Sequence, residues 1–351
     1  MTIRRFCLVL TMISLSCLGV MAQKPKVHIL ATGGTIAGVG SSSAQSNYTA
    51  GQVAIGTLLD AVPDVNNYAD VTGEQVVKIG SQDMMDHIWL TLAKRINVLL
   101  SSDEVDGIVI THGTDTMEET AYFLNLTVKS DKPVVLVGAM LPSTAISADG
   151  PRNLLNAVVT AAAPESKGKG VLCVMDGKIL GAQSLTKTHT LDASTFKAPN
   201  DGALGYLHNG LVFYKHTPLK KHTLQSDFDV MSLDKLPKVD IVYTYSNMDP
   251  DLVAPLLKNG YKGIVHAGLG NGNIHKDIFP LLIKARKKGI AVVRSSRVPF
   301  GPTTLDGEVD DAEFEFVASQ DLNPQKARIL LMLALTKTTD WKQIQNYFNE
   351  Y

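Results

Sequence analysis

Short runs of apolar and β-branched residues recur along the chain. Each run is followed by a loop that contains glycine and then by a segment with helical spacing. The clearest runs are Val27 to Ala31, Gly107 to Ile110, Val134 to Val137, Ile241 to Tyr245, Gly263 to Ala267 and Ala291 to Arg294. Continuous apolar runs of this length are typical of parallel strands that are buried on both faces. The pattern therefore predicts an α/β protein with mainly parallel sheets flanked by helices.

Local signals mark where several of the predicted helices and one hairpin begin. Thr116 and Glu119 have the spacing of a capping box, and Asp149-Gly150-Pro151 places an N-cap and an early proline before a helix over Arg152 to Thr160. Asn323-Pro324 opens a long amphipathic helix that continues to Leu335. Asp176-Gly177 lies between two apolar runs and predicts a β-hairpin.

The chain divides at a polar stretch in its second half. From His216 to Lys238 the apolar periodicity fades, so we interpret residues 216–238 as a linker. The length of 351 residues fits about two domains. The sequence predicts a larger N-terminal catalytic α/β domain at residues 23–215 and a smaller C-terminal α/β domain at residues 239–351.

The first 22 residues have the composition of a signal peptide. Arg4 and Arg5 form a positive segment, Phe6 to Val20 is mostly apolar, and Val20-Met21-Ala22 resembles a cleavage site. The alternative is an uncleaved membrane anchor, although the apolar stretch is short for a spanning helix. We therefore expect a periplasmic or secreted protein that is cleaved near Ala22 and has no membrane contact afterwards.

Composition excludes some classes of protein. Apolar residues make up 45% of the chain, charged residues make up 19%, and the formal net charge is −1. This balance indicates a folded protein with a sizeable core and argues against a nucleic-acid partner. Of the three cysteines, only Cys173 would remain after cleavage. Because it lies in an apolar run, we expect a buried structural thiol.

The loop after the first predicted strand, Ala31 to Gly38, presents a threonine hydroxyl between glycines. The glycines allow a sharp turn that brings backbone N–H groups close to a ligand. A tight turn with no chemical role is the plainer interpretation. The loop is not a P-loop and lacks the G-x-G-x-x-G spacing of dinucleotide sites, so Thr35 is its distinctive feature.

A second loop, Thr111 to Thr120, also carries candidate chemistry. Thr114 and Asp115 lie at a predicted junction between a strand and a helix, where backbone N–H groups favour a carboxylate ligand. An alternative is that Asp115 or Thr116 only caps the helix. We interpret His112 as a packed residue rather than as a catalytic base.

These two loops resemble the signature loops of the bacterial type II (periplasmic) L-asparaginases. The resemblance extends from about Lys26 to the C-terminus. It includes Thr32 to Gly38, Thr111 to Thr116, Ile79 to Met84, Gly138 to Met140, Ser147 to Pro151 and Arg294 to Pro299. It implies a hydrolase of linear amides that converts L-asparagine to L-aspartate and ammonia, with lesser activity on L-glutamine.

The resemblance assigns catalytic roles to six positions. Thr35 matches the family nucleophile, Tyr48 at the end of the loop from Gly38 matches the tyrosine beside it, and Glu308 matches the carboxylate that orients this tyrosine. A second group, which activates water and supports proton transfer in the family, matches Thr114, Asp115 and Lys187. A threonine hydroxyl needs a base to take its proton, and either Tyr48 or Lys187 could be that base.

Substrate-binding residues and assembly follow from the same resemblance. Ser81, Gln82, Thr114 and Asp115 match contacts to the substrate's α-carboxylate and α-amine. Gly34 belongs to the turn that supplies N–H donors to the oxyanion, the Ala139 carbonyl matches a contact to the amide end, and Asn273 matches an asparagine from a neighbouring subunit. A homotetramer of intimate dimers is therefore implied, with L-asparagine as substrate and with no cofactor and no metal.

Other classes of protein share part of this pattern. A secreted binding protein for small polar solutes, without turnover, would also have an export signal and two α/β lobes. A dinucleotide oxidoreductase, a metallohydrolase and a serine hydrolase are disfavoured, because G-x-G-x-x-G, H-E-x-x-H and G-x-S-x-G are absent from the sequence.

Overall fold

The computed structural model describes residues 23–40, 48–49 and 55–351. The expected signal peptide at residues 1–22, and most of the loop between Gly38 and Tyr48, lie outside these ranges. In the part of the chain that is described, no helix is both long and apolar enough to span a bilayer.

The N-terminal domain is built on one large sheet with the order β12-β11-β8-β7-β6-β5-β1-β4. The eight strands of this sheet are β1 (Lys26–Gly33), β4 (Asp70–Ile79), β5 (Gly107–Thr111), β6 (Val134–Val137), β7 (Val171–Met175), β8 (Lys178–Gly181), β11 (Gly205–His208) and β12 (Leu211–Tyr214). Two small ribbons pair β2 (Val39–Gly40) with β3 (Tyr48–Thr49) and β9 (Thr186–Lys187) with β10 (Phe196–Lys197). Strands β4, β1, β5, β6 and β7 are parallel. Its helices are α1 (Ile55–Asp60), α2 (Asp86–Leu100), α3 (Met117–Thr127) and α4 (Gly150–Ala162).

The C-terminal domain has a smaller parallel sheet with the order β13-β14-β15-β16. Its elements are β13 (Val239–Tyr243), β14 (Gly263–Gly268), α5 (Phe279–Lys287), β15 (Ala291–Ser296), α6 (Asp311–Phe314), β16 (Val317–Ala318), α7 (Pro324–Ala334) and α8 (Trp341–Glu350). The predicted fold class, two α/β domains with mainly parallel sheets, is confirmed.

One strand begins and ends two residues earlier in the sequence than predicted. The run from Ile241 to Tyr245 was expected to be a strand, whereas β13 begins at Val239 and ends at Tyr243. The charged Asp240 interrupts the apolar pattern just after the true start of β13. The exposed Tyr245 continues the apolar run beyond Tyr243, which is the last residue of β13 that pairs with β14. Hydrophobicity therefore misplaced both ends of this strand.

Two predicted helix caps were also wrong in detail. Thr116 and Asp149 do occupy the N-cap positions of α3 and α4, but neither side chain accepts a hydrogen bond from a backbone N–H of its own helix. The Thr116 hydroxyl donates to the Ser81 carbonyl at 2.8 Å, and the Asp149 carboxylate accepts from other loop backbone. Backbone atoms outside the two helices thus replace the local cap.

Other local predictions are confirmed. Asp176 and Gly177 both have positive φ, at 49° and 70°, and join β7 to β8 as an antiparallel hairpin. The Asn323 side chain accepts from Lys326 N at the start of α7. Cys173 is fully buried, and burial raises the pKa of its thiol, as expected for a structural cysteine.

A continuous apolar core joins the two domains. It includes Leu92 of α2, Phe123 of α3 and Leu330 of α7. Phe228 and Val230, from the stretch that was interpreted as a linker, are buried in the same core. This segment is therefore packed against both domains, which hold each other in a fixed arrangement.

Buried polar contacts reinforce the junction between α3 and α7. Lys326 is 2% exposed, and its ammonium donates to the carbonyls of Gln183 and Leu185. Glu118 lies 3.8 Å from this ammonium and accepts from Asn323 Nδ2 at 3.0 Å. Because these contacts reach the segment just before Lys187, they fix the position of that residue.

Glu119 gives the same junction a pH dependence. Burial raises the pKa of Glu119 to about 7, against the attraction of Arg328. Between pH 4.5 and 7 the folded state holds a proton that the unfolded state has lost, so stability falls as the pH rises through this range. At pH 8 we expect Glu119→Gln to raise the free energy of unfolding by about 3 kcal/mol, because it removes the buried charge.

Urea unfolding at pH 8 and at pH 5 measures this effect. The gain should shrink to less than about 1 kcal/mol at pH 5, where the folded wild-type carboxyl is already neutral. Glu165→Gln is the control, since Glu165 is exposed, and it should change stability little at either pH. An equal gain from Glu119→Gln at both pH values would contradict the assignment.

Candidate active site

The strand order places a crevice at the carboxyl ends of β1 and β5. From β1 the chain passes first to β4 on one side and then to β5 on the other. Loops that leave adjacent strands in opposite directions separate at this point, which is where open α/β sheets bind ligands. The two threonine loops that the sequence singled out are the loops that follow β1 and β5.

Gly34 brings these two loops into contact. Its φ is 81°, and a Cβ at this position would lie 2.3 Å from Gly113 N. Only glycine allows such an approach, because any other side chain would collide with the opposite backbone. Thr35 follows directly and is 4% exposed. The first loop therefore presents Thr35 beside the second loop.

The second loop forms a compact polar cluster with Lys187. The Lys187 ammonium donates to Thr114 Oγ1 at 2.9 Å and to Asp115 Oδ1 at 2.7 Å. Thr114 is buried, whereas the Asp115 side chain is 59% exposed. Lys187 reaches this position from β9, which pairs with β10. The Asp115 carboxylate thus binds Lys187 rather than capping α3, so the capping alternative was wrong.

His112 holds the second loop from behind. Trp89 Nε1–H donates to Thr120 Oγ1 at 2.9 Å, and this hydroxyl lies 2.9 Å from His112 Nε2. On the other side of the ring, Nδ1 lies 2.7 Å from the Gly113 carbonyl. Burial lowers the pKa of His112 to about 4, so the ring is neutral at pH 7. The interpretation of His112 as a packed residue is supported by this geometry.

Ser81 joins a third segment to the cluster. Its hydroxyl accepts from Asp115 N–H at 3.1 Å, and the side chain is 4% exposed. The segment follows β4, whose last residue Ile79 accepts a hydrogen bond from Gly34 N–H. Gln82 is exposed at the same edge and makes no hydrogen bond with the described residues. Ser81 and Gln82 are therefore available on the side of the crevice formed by β4.

Ala139 lies on the loop after β6, which Asp149 and Asn153 hold in place. Asp149 accepts from Met140 N–H at 3.0 Å and from Leu141 N–H at 2.9 Å, and Asn153 Nδ2 donates to the Gly138 carbonyl at 3.1 Å. Sequence reasoning did not assign supporting roles to Asp149 and Asn153. Asp149 belongs to the motif from Ser147 to Pro151 and was expected only as an N-cap, while Asn153 lies outside that motif.

Three predicted site residues are not brought into this cluster. The Tyr48 backbone pairs with Gly40 in a short ribbon, and its side chain lies outside the description. Glu308 is exposed and makes no hydrogen bond with the described residues. Asn273 lies on the C-terminal domain, and its buried Oδ1 has no partner in the described part of the chain. Within one chain, the cluster therefore comprises Gly34, Thr35, Ser81, Gln82, Thr114, Asp115, Ala139 and Lys187.

The two arginines near β15 differ from one another. Arg294 is fully buried and pairs with Asp311 at 2.5 Å, as expected for a structural ion pair. Arg297 is exposed and forms no ion pair within the described ranges. Arg294 also donates to the Asn271 and Thr304 carbonyls, which links the loops that carry Asn273 and Glu308.

The cluster has the parts of a nucleophilic site. It contains a buried hydroxyl on a glycine turn, a second hydroxyl bonded to an ammonium, and a carboxylate beside them. Such an arrangement can attack a carbonyl and move protons without a metal. Among the described residues, no group of His, Cys, Asp and Glu side chains is arranged to hold a metal ion.

Comparison with known proteins agrees with this geometry. Residues 26–220 match the family model "Asparaginase, N-terminal", and residues 238–348 match "Glutaminase/Asparaginase C-terminal domain". The chain is 60% identical to L-asparaginase 2 of Escherichia coli, with 95% of each chain covered. It is 58% identical to a probable periplasmic L-asparaginase of Haemophilus influenzae, with 94% of each covered.

A solved structure shows the same fold. It is the crystal structure of a probable cytoplasmic L-asparaginase from Campylobacter jejuni, which is 52% identical and superposes with a TM-score of 0.91. The match covers 93% of this chain and 100% of that one. Both domain models, the relatives and the fold agree, and the chain belongs to the asparaginase family.

Proposed function

We propose that the protein hydrolyses the side-chain amide of L-asparagine to give L-aspartate and ammonia. The observation that carries this proposal is the Lys187 ammonium, which bonds to both Thr114 and Asp115 beside the turn that holds Thr35. Membership of the asparaginase family supports the same reaction. A binding protein that does not turn over its ligand would have no need for this paired arrangement.

In the first half-reaction, the Thr35 hydroxyl oxygen attacks the side-chain carbonyl carbon. Its proton passes to a base, for which the candidates are Tyr48 as the phenolate and Lys187 as the neutral amine. Backbone N–H groups of the glycine turn at Gly34 stabilise the negative oxygen, and one such donor is typically worth about 2.7–4 kcal/mol. The amide nitrogen takes a proton and leaves as ammonia, so that an ester to Thr35 remains.

In the second half-reaction, water cleaves this ester. Thr114 and Lys187 hold and activate the water, which attacks the same carbonyl carbon. The Thr35 oxygen regains a proton as the ester bond breaks, and L-aspartate is released. Asp115 keeps the Lys187 ammonium in place by the ion pair and also faces the substrate's α-amine.

Substrate selection rests on groups around the crevice. Ser81 and Gln82 bind the α-carboxylate and α-amine, and the Ala139 carbonyl contacts the amide end. Asn273 reaches the site from a neighbouring copy, and its unpaired Oδ1 is consistent with a partner outside the chain. Glu308 orients the Tyr48 side chain, the role that the family resemblance assigns to it.

Substitution of the nucleophile tests the reaction directly. Thr35→Ala should lower kcat for ammonia release from L-asparagine by about 10⁴-fold or more, because no other group forms the ester. Lys187→Met should lower kcat by about 10²–10⁴-fold through loss of proton transfer.

The wild type should turn over L-glutamine about 10–200-fold less efficiently than L-asparagine, since one additional methylene in a pocket changes the efficiency by about this factor.

Thr111→Val is the matched control for these variants. Thr111 is buried at the end of β5, next to the site, and its hydroxyl has no hydrogen-bond partner among the described residues. Valine removes only this buried hydroxyl, which makes no hydrogen bond that could be lost, so activity should stay within about twofold of wild type. No ammonia from either amide, with folded and assembled protein, would favour the binding-protein alternative. Full activity in Thr35→Ala would refute the assigned nucleophile.

Export and assembly belong to the same proposal. We infer that residues 1–22 are removed and that the mature protein, with domains at 23–215 and 239–351 joined by 216–238, acts in the periplasm or medium. Four copies assemble as a dimer of intimate dimers, because the site needs Asn273 from a second copy. The relative from Haemophilus influenzae that is described as periplasmic supports this location.

Native mass spectrometry of the exported protein tests both points in one measurement. We expect a complex of four protomers, and denaturation should release a chain that begins at Gln23. A predominant single protomer would contradict the shared site. A chain that retains Arg4 and Arg5 would contradict cleavage.

A further inference from the structure

A cavity of about 590 Å³ lies where the segment 216–222 crosses the N-terminal sheet. Its walls include the start of β7, the turn after β8 at Gln183, and Asp321 from the C-terminal domain. The proposed catalytic residues are not part of its lining as the structure describes it. Small-molecule sites commonly have this size and this position between domains.

Two buried side chains each present a free polar atom at one end of this cavity. Asn125 is 6% exposed, and its Oδ1 accepts from Val171 N–H at 2.9 Å, while Nδ2 bonds to none of the described residues. His222 is 8% exposed, and its Nδ1 lies 2.9 Å from Thr223 Oγ1, while Nε2 likewise has no partner in the described chain. Both nitrogen atoms are open to solvent rather than sealed in the core, so they are available to a ligand that enters the cavity.

Gly170 brings these two side chains together. It has a φ of 72°, and a Cβ there would lie 2.6 Å from Asn125 Oδ1 and 3.2 Å from the His222 ring. Only glycine fits here, because other residues rarely adopt this positive φ and because a Cβ would collide with Asn125. Burial lowers the pKa of His222, so the ring is neutral near pH 7. Nε2 then carries a hydrogen when the Thr223 hydroxyl donates to Nδ1.

Two ammonium groups line the same cavity. Lys169 precedes Gly170, and its Nζ lies 5.2 Å from the centre of the Tyr214 ring. Lys220 lies two residues before His222, and its Nζ is 2.5 Å from the Asn349 carbonyl. Both retain N–H groups for a ligand, because an ammonium has three donors.

The acidic residues of the cavity lie at its other end. Asp201 and Asp321 line it, but they also line a smaller adjoining cavity that none of the four donor residues reaches. Both are exposed, so water screens their charge. The end around Gly170 is therefore rich in donors and positive.

We propose that this cavity binds a small molecule through a carboxylate group. One carboxylate accepts hydrogen bonds from Asn125 Nδ2 and His222 Nε2, and Lys169 and Lys220 balance its charge. Charge-assisted hydrogen bonds of this kind select an anion over a neutral molecule of the same shape. The site is separate from the crevice at Thr35 and does not require turnover.

Isothermal titration calorimetry with citrate tests the proposal. Citrate is added to the assembled mature protein in the presence of saturating L-aspartate, which occupies the proposed catalytic site. We expect citrate to bind, and triethyl citrate, which has no carboxylate, to give no signal.

Lys169→Met and Lys220→Met should each weaken citrate binding about tenfold. Lys167→Met is the control, since Lys167 lies on the same loop outside the cavity, and it should leave the affinity unchanged.

Asn125→Asp is the sharpest variant. An aspartate keeps an acceptor for Val171 N–H but replaces the Nδ2 donor with a negative oxygen, so citrate binding should be lost while the protein stays folded. No citrate signal with wild type at about 10 mM, or equal affinity in Asn125→Asp and wild type, would overturn the site. Because calorimetry needs no turnover, either result would leave the proposed amide hydrolysis untouched.

Discussion

The contact between the backbones of Gly34 and Gly113 sets the geometry of the whole crevice. A Cβ on Gly34 would lie 2.3 Å from Gly113 N, so the loops after β1 and β5 touch without side chains between them. The consequence is that Thr35 on one loop and Thr114 on the other lie at the same end of the sheet. A larger residue at Gly34 would separate the two loops and with them the two halves of the proposed reaction.

Behind this contact, the supporting residues are buried or half-buried, and the proposed catalytic groups are more exposed. His112, Asp149 and Lys326 bond to backbone atoms and hold the loops that carry Thr114, Ala139 and Lys187. By contrast, the Lys187 and Asp115 side chains are 18% and 59% exposed. Supporting residues that are held by hydrogen bonds keep the geometry fixed, while the accessible Lys187 and Asp115 side chains can meet substrate and water.

Sequence patterns predicted the elements well where the signal was local. The hairpin at Asp176-Gly177 and the cap at Asn323 depend on neighbouring residues only, and both were found. The predicted caps at Thr116 and Asp149 were wrong because both side chains bond to backbone atoms outside their own helices. Polarity suggested a linker at residues 216–238, yet Phe228 and Val230 are buried there. Nothing in the sequence pattern indicated this burial, because the apolar residues of the segment are scattered without a regular period.

The site could be predicted from residues alone only in part. The two threonine loops were identifiable from their glycines and their positions after strands. The pairing of Lys187 with Thr114 joins residues 73 positions apart, and only the family resemblance pointed to it. Glu308 and Asn273 lie apart from the cluster within one chain, and the roles proposed for them involve the Tyr48 side chain and a second copy, so they remain predictions from the family resemblance.

The covalent intermediate is the central claim, and acid-quenched mass spectrometry tests it most directly. Lys187→Met protein mixed with L-asparagine should accumulate an aspartyl ester, because the proposed activation of water is impaired while attack by Thr35, with Tyr48 as the base, still occurs. Peptide mapping should then place the adduct on the peptide that contains Thr35. An adduct on Thr114, or turnover of L-asparagine with no adduct under any quench time, would contradict the account.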